Sequence, residues 1–379
     1  MIIIVILFAL VIVYSSTRND GTDGTSGQGL EPDEGASQGL FKNIQRAGNH
    51  SLAYVANSRS KSILVVDLDA IELLGSVYLG DEIEGGPRGM DITPDGKRLY
   101  VTGGETCHDV IVLDTTNFEI VDRINLGTRP ILIKISSDGG EAFVFRGDGN
   151  PCVLVVDLET CEATDEIGLD AGIGHVRLSP DGDTLYVRSN RGVVFIDART
   201  HEVIKEIEMV TEWATPFAVH PNGTMVYVAH IVNVHGHWPS VHVFDSGTGK
   251  RVDTIENVTK RAYPDGSIRY IEVSPDGDII YVADSMGVLL TVVDASSNKV
   301  LLKRDDIYTS ECYYGGPNKV YFSPDGGRAY LIYRGGIPID SPGRDLPSAI
   351  FVVDTETHES IGVIGLGEWA GAGMMVVSP

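Results

Sequence analysis

The 379-residue chain has few basic residues and no apolar run longer than the 14 residues at its N-terminus. Its 29 Lys and Arg stand against 53 Asp and Glu, which gives a formal net charge of −24. Nucleic acid is therefore excluded as a partner, because it requires a basic face. No segment approaches the roughly 20 consecutive apolar residues of a membrane-spanning helix.

Cysteine is also scarce, and the spacing of the four cysteines excludes several sites. Cys107, Cys152, Cys161 and Cys312 form neither CxxC nor CxxCH, which rules out attached c-type haem. The sequence lacks a serine nucleophile elbow, a Walker loop, a dinucleotide fingerprint and a zinc-protease motif. No catalytic residue can therefore be assigned, and an enzyme is the less favoured reading of the sequence.

The N-terminus carries the longest apolar run of the chain. Residues 1–14, MIIIVILFALVIVY, fit the core of a secretory signal, although no basic residue precedes them and no clear cleavage site follows. They predict a signal peptide or N-terminal membrane anchor, and hence a secreted or cell-surface location in which this segment alone meets the membrane. Residues 15–48 are acidic and rich in Gly and Ser, which predicts a flexible linker.

One pattern recurs seven times from residue 49 onward. In each copy a turn of the Pro-Asp-Gly kind is followed, five residues after its Asp or Asn, by an aromatic residue. Pro fixes φ, Asp bonds its own backbone and Gly accepts positive φ, so these stretches are typical of tight turns. The pairs are Asn49 and Tyr54, Asp95 and Tyr100, Asp138 and Phe143, Asp181 and Tyr186, Asn222 and Tyr227, Asp276 and Tyr281, and Asp325 and Tyr330.

An apolar run that ends in Asp follows each aromatic residue. We interpret these aspartates as turn caps, because a catalytic residue is not needed seven times. Short Val, Ile and Tyr runs bounded by turns are typical of strands. Four strands per unit, A to D, in seven units predict an all-β, seven-bladed β-propeller over residues 49–379. The capping residues are Asp67, Asp114, Asp157, Asp197, Asp245, Asp294 and Asp354.

The last residues, MMVVSP, match an A strand, whereas residues 50–79 supply strands B, C and D without one. We therefore predict that a strand from about Gly373 to Ser378 docks in the blade of Tyr54 and closes the ring. Closure removes two open sheet edges, which are otherwise free to pair with other chains.

The stretch YVANSRSKSILVVDLDAIELLGSVYLG, from Tyr54 to Gly80, resembles the YVTN-type β-propeller repeat. In that repeat a Tyr-Val-x-Asn strand leads into a Val-Ile-Asp strand, a polar turn and an Ile-x-x-Gly ending. The resemblance covers residues 49–379. It implies the propeller architecture but no single activity, because similar propellers include surface-layer proteins, lactonases of the phosphogluconolactonase type and subunits of quinohaem amine dehydrogenases.

Length variation is confined to the B–C and D–A connections, which share one face of the predicted propeller and are the usual place for binding. The mouth of the central channel should lie on this face, where the A strands begin. Three arginines and a histidine there would suit a small anionic ligand, unless they pair with nearby acids. The residues placed at the mouth are Arg88, Arg129, His175, Trp213, Arg269, Asn318 and Trp369.

The fifth-blade B–C loop, within HIVNVHGHWPSVH, carries four of the ten histidines. His235 and His237 could present two imidazoles to a divalent metal such as Zn²⁺ or Cu²⁺, the one cofactor that the sequence suggests. The alternative is a polar, partly aromatic contact loop, since no Cys or carboxylate lies at a tight ligand spacing beside them.

Two predictions depend on export. Cys107 and Cys152 fall in B–C loops of adjacent blades, where a disulfide would join them; free thiols are the alternative. Asn49, Asn222 and Asn257 begin Asn-x-Ser/Thr sequons at predicted turns or loop edges and are candidate glycosylation sites.

Three functions are compatible with these features. The first is a non-enzymatic propeller that binds a protein or cell-surface component through its loop-rich face. The second is a lactonase-like hydrolase that uses the channel mouth with an acid such as Glu212 or Glu368. The third is an accessory subunit of a redox enzyme, for which the chain has no cofactor ligands of its own.

Overall fold

A computed structural model describes the propeller with some of its loops left out. Among its residues no helix is long and apolar enough to cross a membrane. The predicted signal or anchor, residues 1–14, lies outside the described part, as does most of the predicted linker. The described residues are 40, 42–44, 47–80, 83, 85–104, 107–147, 151–169, 173–189, 191–209, 215–231, 236–261, 267–284, 289–305, 317–333, 347–368 and 372–379.

In the described residues, 28 strands form seven four-stranded antiparallel sheets, which confirms the seven-bladed propeller. Each sheet is one blade, and consecutive strands of a blade are neighbours. The strands are β1 (Leu52–Asn57), β2 (Ser62–Asp67), β3 (Glu72–Tyr78), β4 (Met90–Ile92), β5 (Arg98–Thr102), β6 (Asp109–Asp114), β7 (Ile120–Asn125), β8 (Pro130–Ile135), β9 (Glu141–Arg146), β10 (Cys152–Asp157), β11 (Glu162–Gly168), β12 (Ile173–Leu178), β13 (Thr184–Ser189), β14 (Gly192–Asp197), β15 (Val203–Glu208), β16 (Phe217–Val219), β17 (Met225–His230), β18 (Ser240–Asp245), β19 (Arg251–Ile255), β20 (Ile268–Val273), β21 (Ile279–Asp284), β22 (Leu289–Asp294), β23 (Lys299–Arg304), β24 (Lys319–Phe322), β25 (Arg328–Tyr333), β26 (Pro347–Asp354), β27 (Ser360–Glu368) and β28 (Ala372–Val377).

The ring closes as the sequence predicts. Strand β28 pairs antiparallel with β1, so the first blade has the order β28-β1-β2-β3. Tyr54 lies opposite Val376, and the Ser378 N–H donates to the Leu52 carbonyl at 2.8 Å. The last proline, Pro379, lies against the turn of the second blade at Gly96, whose φ of 71° suits glycine. The A strand of the first blade is therefore supplied from the C-terminal end.

The seven aspartates at the ends of the C strands cap turns, as predicted. Asp157 Oδ1, for example, accepts the N–H groups of Glu159 and Thr160 at 3.0 and 2.7 Å. These bonds favour the ionised carboxyl and lower the pKa of Asp157, first through the backbone of Thr160 and then through its hydroxyl. The same Oδ1-to-backbone pattern recurs at Asp67, Asp114, Asp197, Asp245, Asp294 and Asp354.

The residue four positions after each capping Asp adopts positive φ and contacts the preceding blade. His358 Nδ1 lies 2.7 Å from the hydroxyl of Tyr281, and His201 Nδ1 lies 3.0 Å from Asp165 Oδ2. We call these contacts the outer locks. Six of the seven positions carry a side chain at φ 54–61°, a strained conformation that recurs because it aims the side chain at the neighbouring blade. The residues are Ile71, Phe118, Cys161, His201, Gly249, Asn298 and His358.

Apolar side chains of the B and C strands fill the space between blades. All seven predicted aromatic residues of the B strands are buried, at most 5% exposed. The last part of the predicted linker joins this core, because Leu40 and Ala47 are buried and the Asn43 side chain donates to the Leu74 carbonyl at 2.9 Å. Residues 40, 42–44 and 47 are helical.

Candidate functional site

The seven A strands (β28, β4, β8, β12, β16, β20 and β24) line a cavity of about 630 Å³ on the propeller axis. This volume lies within the range of about 300–1,000 Å³ that is usual for small-molecule sites. Side chains alternate along each strand, so residues two positions apart form successive layers of the channel wall.

The inner layer consists of the cross-strand partners of the seven B-strand aromatics. Lys134 Nζ lies 3.2 Å from Asp91 Oδ1, and Arg177 forms a bidentate pair with Glu272 at 2.9 and 2.6 Å. Each cation therefore has its own carboxylate, and we call this layer the balanced ring. Its members are Asp91, Lys134, Arg177, Ala218, Glu272, Tyr321 and Val376.

Arg177 reaches across a whole blade to its partner. Its Nε donates to the Phe217 carbonyl and its Nη2 to the Ile271 carbonyl, both at 3.1 Å, while Ala218 is the small residue between. Burial lowers the pKa of Arg177, but the charge and hydrogen bonds of Glu272, together with Tyr270 and Tyr321, outweigh burial, so the net pKa is raised. A side chain larger than alanine in the fifth blade would obstruct this path.

The next layer, two residues nearer the loop-rich face, is different. Lys319 Nζ lies 5.9 Å from the ring centroid of Tyr270, and the His175 ring lies 6.2 Å from the same ring. No ion pair or hydrogen bond of the Lys319 ammonium is found within the part of the chain that the structure describes. We call Lys319, His175 and Tyr270 the cationic layer.

Burial sets the protonation of this layer. It lowers the pKa of Lys319 to about 8, helped by the charges of Arg177 and Lys134 and opposed by Glu272. It lowers the pKa of His175 to about 3, with Lys319, Arg177 and Arg188 adding to the effect. It raises the pKa of Tyr270 to about 12. At neutral pH the layer therefore holds one ammonium, one neutral imidazole and one protonated phenol.

The residues predicted at the mouth are only partly brought together. His175 belongs to the cationic layer. Arg88 is exposed, and Arg269 is exposed as the extra residue of a bulge in β20. Arg129 is half-buried and donates from Nη2 to the Gly147 carbonyl at 2.5 Å. The half-buried Asn318 immediately precedes Lys319.

Trp213 and Trp369 lie outside the described residues, as do Glu212 and the side chain of Glu368, the acids named for a hydrolase. The anion site formed by arginines at the channel mouth and the lactonase-like activity therefore stay predictions.

Sequence reasoning missed the charged residues of these two layers, including Lys319, Arg177 and Glu272. Each member of the balanced ring lies three residues before the second residue of the Ser-Pro pair, or of its equivalent, that begins the turn. An alignment of the seven repeats at this pair would have shown that the position is mostly polar.

Arg188 is a second omission: it is 0% exposed on β13, and its Nη1 donates to the Gly192 carbonyl at 2.8 Å. Apolar residues or threonine stand at this position in the other blades.

The histidine loop is described only in part. His235 lies outside the described residues, and the described His237 packs against His230, which ends β17. The one group of three candidate metal ligands found in the described chain lies elsewhere, at His50, Asp67 and Asp69. There His50 Nδ1 and Asp67 Oδ2 are 2.7 Å apart, while Asp67 Oδ1 caps its turn, so the group is explained as part of the first-blade turns.

The predictions that depend on export are not decided by the structure. Cys107 and Cys152 are both buried, and no bond joins their sulfur atoms, so the disulfide stays a prediction. Asn49, Asn222 and Asn257 are exposed. The Asn257 Oδ1 accepts a bond from Lys303 Nζ at 2.8 Å.

Comparison with known proteins gives structural likeness alone. No protein-family model matches the chain, and no curated protein matches it. A solved structure of Kuenenia stuttgartiensis hydrazine synthase has a TM-score of 0.63 and 22% identity, covering 73% of this chain and 88% of that one. A structure of dihydro-heme d1 dehydrogenase NirN in complex with DHE has a TM-score of 0.57 and 14% identity, covering 86% of this chain and 74% of that one. At these identities the likeness supports the propeller fold and carries no activity.

Proposed function

We propose that the protein is a binding propeller whose channel takes a small anion, such as a carboxylate or a phosphate, at the cationic layer. The carrying observation is the Lys319 ammonium, which lies 5.9 Å from the ring of Tyr270, a residue of the cavity wall, and has no carboxylate partner among the described residues. Lys134 and Arg177, one layer away, are each paired. A buried cation is costly unless an anion compensates it, so an ammonium without a carboxylate partner beside a cavity favours an anionic ligand.

The neighbouring groups suit such a ligand. Neutral His175 offers one N–H donor, and Tyr270 stays protonated and able to donate, because burial raises its pKa to about 12. Hydrogen bonds from neutral donors to an oxyanion are stronger than neutral pairs. The cationic layer also contrasts with the net charge of −24, so an anion that is repelled by the surface would be held only inside.

Isothermal titration with succinate, citrate and inorganic phosphate tests the proposal. We expect one site per chain, and at least a tenfold weaker Kd in Lys319→Met, which corresponds to about 1.4 kcal/mol. Lys299→Met, on the exposed edge strand β23, is the matched control and should bind like the unaltered protein. Equal affinity in Lys319→Met and Lys299→Met would contradict the proposal.

Location and partners are part of the proposal. The apolar residues 1–14 support secretion or anchoring at the cell surface, where the protein would present its loop-rich face to a protein or another surface component. N-terminal sequencing of the protein from a membrane fraction and from the medium checks this. Recovery only in the cytosolic fraction would contradict it.

A second candidate is an accessory subunit of a redox enzyme. Its support is that both similar structures carry the names of redox enzymes, a synthase of hydrazine and a dehydrogenase of a dihydro-haem. Titration of the purified chain with ferric haem, followed by the Soret band, tests one form of this role. A shift at one equivalent that Lys319→Met weakens would favour a tetrapyrrole carboxylate in the channel, and an unchanged band would count against it.

A further inference from the structure

Three histidine rings meet at the B–C connection of the fifth blade. His230 ends β17, His242 lies in β18 opposite Val228, and His237 lies in the chain between them. The ring centroids of His230 and His237 are 5.6 Å apart with planes at 81°. Those of His230 and His242 are 4.1 Å apart and nearly parallel, at 17°.

His237 carries a buried nitrogen without a described partner. Its Nε2 is inaccessible to solvent and makes no hydrogen bond with the residues described. No hydrogen bond of either His230 ring nitrogen is found there either, although its ring contacts both other histidines. Buried polar atoms are nearly always satisfied, and an unplaced ion is one of the standard explanations for an exception.

The distances and angles between the rings show which two histidines could bind one metal ion. Metal–nitrogen bonds of about 2.0–2.1 Å, at tetrahedral or wider angles, place two ligating ring centroids about 5–6 Å apart with divergent planes. The pair His230 and His237 meets this condition. The pair His230 and His242 does not, because two nearly parallel rings at 4.1 Å cannot both direct a nitrogen at one ion. His242 Nε2 is instead 3.4 Å from Arg251 Nη1.

The protonation state permits metal binding at His230 but does not distinguish His230 from His242. Burial, then the charges of His237 and Arg251, lower the pKa of His230, and Glu256 opposes them. Burial, then His230 and Arg251, lower the pKa of His242 to about 4. Both rings are neutral at neutral pH, so metal binding at His230 displaces no proton. Imidazole ligands select zinc and copper over calcium and magnesium, which require oxygen ligands.

We propose that His230 and His237 bind a late first-row transition-metal ion, Cu²⁺ or Zn²⁺, and that His242 is a positioning residue that holds the His230 ring by stacking. Water or an external donor completes the coordination. The sequence indicates His235 and His237 as the two ligands. We keep His237 and take His230, the last residue of β17, as the second ligand.

Fluorescence of the neighbouring Trp238, 49% exposed, provides the readout. The full chain, free of any affinity tag, is titrated with Cu²⁺, which quenches nearby indoles, and bound copper is counted after dialysis. We expect one ion per chain and saturable quenching. His230→Gln and His237→Gln should each weaken binding at least tenfold, whereas Trp238→Phe should abolish most of the quenching and retain the ion.

His108→Gln, an exposed histidine of another blade, is the matched control and should leave the affinity unchanged. Circular dichroism verifies that each variant folds, and a rise of melting temperature with Zn²⁺ in the unaltered protein but not in His230→Gln gives an independent reading. Equal binding in His237→Gln and His108→Gln, or weak multi-site binding alone, would overturn the proposal as adventitious surface binding.

Discussion

The cationic layer lies two residues from the balanced ring on strands β12, β20 and β24, and the cations of the two layers differ in whether a carboxylate pairs with them. In the balanced ring Lys134 and Arg177 each have a carboxylate within 3.2 Å. In the cationic layer Lys319 has none among the described residues, and its pKa falls to about 8 because burial disfavours the ammonium. A paired charge in the channel serves structure, whereas an unpaired one carries a cost that a ligand can offset.

The strand that contributes Val376 to the balanced ring and closes the propeller should have the largest effect when it is removed. Deleting residues 372–379 takes away β28, exposes the edge of β1 and opens the ring. We expect the melting temperature, followed by circular dichroism, to fall by roughly 10 °C or more. Met375→Ala, which truncates a side chain 2% exposed, should give a smaller loss, and an unchanged melting temperature after the deletion would contradict ring closure.

Breaking the Arg177–Glu272 pair of the balanced ring should have the second-largest effect on stability. Arg177→Met leaves the Glu272 carboxylate without its bidentate partner and should lower the free energy of unfolding by about 2–4 kcal/mol. Urea unfolding measures it. The double variant Arg177→Met with Glu272→Met should recover much of that loss, because no unpaired charge remains; no recovery would show that the pair is not the cause.

Acid should lower the free energy of unfolding through His175, a residue of the cationic layer. Its pKa of about 3 lies below the ordinary 6.5, so the unfolded chain binds a proton that the folded chain does not. Stability that is present above pH 6.5 is therefore lost as the pH falls towards 3, by about 2 kcal/mol at pH 5 for this group. The loss between pH 7 and pH 5 should be smaller in His175→Gln, and equal losses would contradict the assignment.

The smallest effect should have the opposite sign. Lys319→Met removes an uncompensated buried cation and should raise the free energy of unfolding by about 1–2 kcal/mol while it weakens anion binding. Lys299→Met, on the exposed edge strand β23, should change the free energy of unfolding by no more than about 0.5 kcal/mol. A destabilised Lys319→Met protein would show that Lys319 has a structural partner. The cations of both layers would then be paired, and the difference between the layers would be contradicted.

Much of the fold could be predicted because its determinants are local and repeated. The turn caps from Asp67 to Asp354, the seven buried B-strand aromatics and the docking of β28 on β1 follow from spacings within one unit. The outer locks were not predicted. They depend on which neighbouring side chain a residue such as His358 or Cys161 meets across a blade boundary, which spacing within a unit does not contain.

The candidate site was predicted only in part for the same reason. His175 was predicted at the channel mouth, whereas Lys319, 144 positions later in the sequence (319 − 175), was not. The histidine loop was recognised from its composition, but the contact between His237 and His230 was not predicted, because His230 belongs to the preceding strand β17.

By itself the sequence determined the number of blades, the order of strands, the turn chemistry and the closing strand, because turn residues and hydrophobic alternation act over a few positions. Only the tertiary structure decided which charges in the channel are paired. Ala218 leaves Arg177 free to cross a blade to Glu272, whereas the Lys319 ammonium lies over the ring of Tyr270. Pairing depends on distances between strands of different blades, and those distances exist only once the ring has closed.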